Sequence, residues 1–114
     1  MISKELLSKV LDIDSPDHVE LTYGSNYENN VKQSLLLSYN DGSEPITINI
    51  YELAHKCKEW LHNIGFTFKI EFSKKDVSLM FYGPIKNPYH VADTELEVVF
   101  QACERALKLK AKND

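Results

Sequence analysis

A change of period at Gly65 constrains this chain more than any other feature. Between Asn49 and Gly65 the apolar residues Leu53, Ala54, Cys57, Trp60, Leu61 and Ile64 fall at i, i+1, i+4, i+7, i+8 and i+11, one face of a helix. Asn49 is a competent cap, and Glu52 stands where a capping box places its acid. Gly65 follows where a left-handed residue closes a helix. From Phe66 the period falls to two. Phe66, Phe68, Ile70 and Phe72 alternate with Thr67, Lys69 and Glu71, then Ser73–Asp76 turns the chain. Val77, Leu79 and Phe81 alternate with Ser78, Met80 and Tyr82 up to Gly83-Pro84. A helix followed by an amphipathic hairpin must bury both apolar faces together.

The remaining segments extend that plan. Ser3 caps a helix running to Leu11, with Leu6, Leu7, Val10 and Leu11 as its stripe, and Ser15-Pro16 ends it. Val19, Leu21 and Tyr23 alternate with polar residues, and a polar loop over 24–30 leads to a second strand over 31–39. Asn40–Ser43 is a turn. After a loop over 85–92, with a short edge strand at 89–91, Thr94 and Glu97 form a capping box before a last helix reaching about Lys110. Its stripe reads Leu96, Val99, Phe100, Cys103, Ala106 and Leu107. The expected order is α-β-β-α-β-β-α, a single α+β domain over 1–114 with helices packed on a mainly antiparallel sheet.

Charge and motifs exclude several functions. Seventeen acidic against thirteen basic side chains give a net charge of −4, and Arg105 is the only Arg beside twelve Lys. That balance disfavours a nucleic-acid polymer as partner, since a phosphate backbone calls for a basic face. No apolar run reaches membrane-spanning length and the N-terminus lacks signal-peptide order, so a cytoplasmic protein without a membrane partner is expected. Cys57 and Cys103 lie inside apolar stripes, where a thiol packs as a small hydrophobe. His55, Glu59 and His62 share a helix face, read as solvated because no third ligand has metal-site spacing. His18 and His90 are lone loop histidines. No phosphate loop, GxSxG elbow or HExxH occurs, and neither an enzyme, a metal nor a cofactor is expected.

One line on the last helix points elsewhere. Val98, Ala102, Arg105 and Leu109 run at i, i+4, i+7 and i+11 beside the core stripe, which suggests a homo-oligomeric contact through this helix. A guanidinium in such a line suits a small anion held bidentately. The plainer alternative has the Arg105 stem covering apolar surface, or its head pairing with Glu97 or Gln101. Phe81, Tyr82, Asn87 and Tyr89 supply stacking faces and an amide for a planar base. Alternation also assigns Phe81 to the core with Val77 and Leu79, and Tyr82 to the opposite face with Met80.

The run Ile50–Trp60 with Gly65-Phe66, the hairpin, and Asp93–Cys103 containing Thr94, Glu97, Ala102 and Cys103 resemble small phage and prophage proteins with an ABA sandwich-like pattern. The resemblance covers roughly the last two-thirds of the chain, and its motif speaks to fold and phage context rather than function. The length, the opening Ser3-Lys4-Glu5-Leu6-Leu7 and the lone Arg are also similar to the Thoeris anti-defence proteins. That family sequesters cyclic ADP-ribose-type signals without cleaving them, in oligomers with pockets between subunits. The resemblance implies a counter-defence binding protein. The residues themselves, rather than a family motif, suggest Arg105 on a phosphate, the aromatics and Asn87 on a base, and Lys58 as a looser second basic contact. The alternative is an acidic phage inhibitor that binds a host protein directly.

Overall fold

Two copies of one element order, a three-strand antiparallel meander followed by a helix, follow a short first helix. The computed structural model describes the backbone of residues 2–25, 31–82 and 89–113, and side chains at 2–22, 34–82 and 89–110. Helix α1 (Lys4–Leu11) precedes β1 (His18–Ser25), β2 (Val31–Ser38), β3 (Ile46–Asn49) and α2 (Ile50–Asn63). The second set is β4 (Thr67–Phe72), β5 (Val77–Tyr82), β6 (Tyr89–Ala92) and α3 (Glu95–Asn113). The strands form two sheets, β1-β2-β3 and β4-β5-β6, antiparallel throughout. The α+β class holds. The strand β3 is new relative to the pattern read from sequence, and the short edge strand at the end of the loop is present as β6.

Local chemistry explains the helix ends. The Ser3 hydroxyl accepts from the Leu6 amide at 3.1 Å, and Asn49 Oδ1 accepts from the Tyr51 amide at 2.8 Å. Gly65 takes φ +98° after α2, a conformation that costs glycine little. Thr94 Oγ1 accepts from the Glu97 amide at 3.2 Å to start α3.

Register decides which side chains meet the helices. In the first sheet Leu21 pairs with Leu35 and Leu35 with Ile48, one apolar row across three strands. In the second sheet Ile70 pairs with Leu79 and Leu79 with His90, so the histidine ends an otherwise apolar row on the inner face. One core joins these rows to Leu6 and Leu7 of α1, Leu53, Cys57 and Leu61 of α2, and Val99, Cys103 and Ala106 of α3.

The orientation of α3 departs from expectation. Val98 and Ala102 are 0% exposed and belong to the core of a single chain. Helix α3 packs on α2 and on both β5 and β6, so an arc wider than one stripe is covered. An oligomeric contact through Val98 and Ala102 is therefore corrected: neither has surface to offer a second subunit. Leu109 is half-buried. Leu96 and Phe100, expected in the core stripe, are also only half-buried and stand at the edge of a cleft.

Candidate functional site

The cleft lies where α3 runs past the β1–β2 side of the first sheet and the β6 edge of the second. Its volume is about 870 Å³, within the range of small-molecule sites. Leu21, Leu35 and Ile50 form one apolar wall, and Leu96 and Phe100 of α3 form another. Apart from His90 of β6, the polar groups among the described lining residues come from the same helix: Glu97, Gln101, Glu104, Arg105 and Lys108 fall at i, i+4, i+7, i+8 and i+11, one continuous stripe. From Leu96 to Lys108 the lining extends about 18 Å along the helix axis. Such a cleft combines an apolar bed with a stripe of mixed charge, Glu97 and Glu104 beside Arg105 and Lys108.

Two of the polar groups have defined roles in this arrangement. Glu104 Oε1 accepts from the Ser3 backbone N–H at 2.8 Å, tying the start of α1 to the cleft wall. His90 enters from β6, half-buried, with its ring edge-on to Phe81 at a centroid distance of 6.0 Å. Its Nε2 is buried without a hydrogen-bond partner among the described residues. Burial, and secondarily the positive charge of Arg105, push the His90 pKa below its ordinary 6.5. The ring is therefore neutral at pH 7.

Of the five residues expected to share a ligand, the four that the structure describes are not brought together. Arg105 lines the cleft. Phe81 is 2% exposed, packed against Phe66 at 5.3 Å between centroids, so it serves the core rather than a ligand. Tyr82 and Tyr89 lie on the other side of the second sheet, 50% and 58% exposed. The physical reason is the period-two pleat: Tyr82 follows the inward Phe81, and Tyr89 pairs with Met80 and precedes the inward His90. Asn87 lies outside the described residues. Lys58 is also committed elsewhere, donating to Glu95 Oε1 at 2.7 Å between α2 and α3.

Sequence reasoning missed His90 and the wall formed by Leu21, Leu35 and Ile50. The alternation of Tyr89, His90, Val91 and Ala92 held a clue, because a strand there puts His90 and Ala92 on one face. The apolar wall carries no mark separating cleft from core.

The other titratable clusters behave as packing or surface. His55 Nε2 and Glu59 Oε1 meet at 2.7 Å on the exposed face of α2. Among the described residues no group of three or more His, Cys, Asp or Glu is placed to hold a metal ion. Cys57 and Cys103 are fully buried, with the Cys103 Sγ 3.6 Å from the Cys57 carbonyl oxygen. The hydrogen bond to Cys57, and then burial, raise the Cys103 pKa above the ordinary thiol value, so the thiol stays protonated. Both thiols should resist an aromatic disulfide reagent in native protein and react fully in denaturant. Rapid reaction of either under native conditions would contradict this packing.

No protein-family profile, curated protein or solved structure matches the chain. Among the described residues no helix is long and apolar enough to cross a membrane.

Proposed function

We propose that this chain is a phage-encoded counter-defence protein that captures a small nucleotide-derived immune signal of cyclic ADP-ribose type in the cleft beside α3, without cleaving it. It works in the host cytoplasm by stoichiometric binding. The observation that carries the reading is the placement of Arg105 between apolar walls in a cleft of about 870 Å³. A guanidinium holds a phosphate or pyrophosphate with paired hydrogen bonds, and the Phe100 ring and leucine walls suit a base and ribose faces. Lys108 adds a second positive charge on the same stripe. Isothermal titration of the full chain with glycocyclic ADP-ribose tests this directly. Saturable heat and recovery of unaltered ligand after denaturation are expected; no heat at micromolar protein, or a ligand of changed mass, overturns it.

A second reading, direct inhibition of a host protein, has one observation in its favour. The outer face of the second sheet exposes Met80, Tyr82, Tyr89 and Val91, apolar and aromatic side chains on paired strands. With a net charge of −4, a basic partner would be preferred. Pull-down from host lysate with and without Tyr82→Ser and Tyr89→Ser separates this reading from signal capture.

A further inference from the structure

We infer that the outer edge of β4 binds a second copy of this chain. Two β4 strands pair antiparallel about a two-fold axis at Ile70, joining two three-strand sheets into one continuous sheet. This surface is separate from the cleft beside α3, and the inference does not rest on ligand capture.

The backbone supplies the first argument. Strand β4 ends its sheet and pairs on one side only, with β5. Where the hairpin turns, the Ser73 N–H donates to the Asp76 carbonyl at 2.9 Å. Bonded and non-bonded pairs alternate along an antiparallel ladder, so counting back from that pair, Glu71, Lys69 and Thr67 bond to β5. The N–H and C=O groups of Phe68, Ile70 and Phe72 therefore point away from β5, an open template for another strand. With the axis at Ile70, these groups meet the same groups of the second copy. Ile70 lies opposite the partner's Ile70, and Phe68 opposite the partner's Phe72.

Side chains select the occupant and the register. On the outer face Lys69 and Glu71 are 54% and 63% exposed and bond each other at 2.7 Å. Across their own ladder they face Met80 and Ser78, so neither has an opposite charge on β5. The axis at Ile70 sets Lys69 against the partner's Glu71, and Glu71 against the partner's Lys69, in the closely spaced non-bonded pairs. An axis at Lys69 or Glu71 would bring like charges face to face. A strand reading Lys-Ile-Glu is thus its own complement in one register. On the inner face Phe72 is 69% exposed although Val77, opposite it, is buried. The same register lays the partner's Phe72 beside Phe68, which lines a groove of about 540 Å³ with Phe66, His62 and Asn63. Pairing thereby removes from water an aromatic ring that a single chain leaves wet.

Sedimentation velocity of the full chain, from micromolar to about 0.5 mM, should show a monomer–dimer equilibrium. The heavier species should have twice the chain mass of 13.1 kDa. Lys69→Glu or Glu71→Lys alone makes both cross-strand pairs repulsive and should weaken self-association about 10–100-fold. Mixing the two variants restores opposite charges at both pairs, so a heterodimer of near-native affinity should form. Circular dichroism should report a native fold for each, because both side chains are exposed. Phe72→Ser should also weaken the dimer about 10-fold while the monomer stays folded. A strict monomer across the concentration range overturns the inference and leaves the edge to a strand from a different protein. A dimer that neither charge reversal weakens overturns it too, since the copies then meet elsewhere. Failure of the mixed variants to pair overturns the register and with it the inference.

Discussion

Val98→Asp should abolish folding rather than dissociate an oligomer. Val98 is 0% exposed within one chain, on a helix packed against α2, β5 and β6. An isolated carboxylate buried there costs several kcal/mol, comparable with the roughly 5–15 kcal/mol that stabilises a typical domain. Circular dichroism should show loss of the cooperative thermal transition, with light scattering reporting an expanded or aggregated chain. Leu109→Asp, on the same line but half-buried, should retain the fold with a lowered Tm. A folded Val98→Asp monomer derived from an oligomeric parent would mean that α3 does present this line to a second subunit.

Arg105→Ala should weaken glycocyclic ADP-ribose binding by about 10–150-fold, the equivalent of 1.5–3 kcal/mol for hydrogen bonds to a charged group. Arg105 is half-buried at the cleft edge, so the Tm should move by only a few degrees. Arg105→Lys should recover part of the affinity, since an ammonium keeps the charge but not the planar fork. Tyr82→Ala and Tyr89→Ala should leave affinity unchanged because both rings stand on the outer face of the second sheet. Equal losses from Arg105→Ala and Tyr89→Ala would place the ligand on that outer face instead.

These two substitutions sit where sequence reading is weakest and strongest. The helices were legible because caps and period agree: Ser3, Asn49 and Thr94 each accept from an amide of the first turn they precede. The hairpin β4–β5 was legible from strict alternation, and its register puts Phe68 opposite Phe81 and Ile70 opposite Leu79. Strand β3 escaped notice because four residues carry only two apolar side chains, Ile46 and Ile48, directly before a stronger helical signal. On α3 two apolar lines are adjacent, and period alone does not say which one the neighbours cover. Contact with α2 and the second sheet selects Val98 and Ala102 and leaves Leu96 and Phe100 at the cleft.

The site divides in the same way. Arg105 stood out through composition, as the only Arg among thirteen basic residues, and the cleft contains it. Phe81 and Tyr82 are neighbours in sequence but lie on opposite faces of a pleated strand, so no pocket on one face can use both. The position of Tyr89 depends on β6 pairing with β5, a non-local fact, and the same pairing turns His90 inward. A histidine that looks like a loop residue in the chain thereby becomes the polar end of an apolar row.

Amide and side-chain chemical-shift mapping with glycocyclic ADP-ribose tests the location of capture most directly. Saturable shifts at His90, Phe100, Gln101, Arg105 and Lys108, with Leu21 and Leu35 methyls moving in parallel, are the predicted result. Shifts confined to Met80, Tyr82, Tyr89 and Val91, or no shifts at millimolar ligand, would contradict capture in the cleft beside α3.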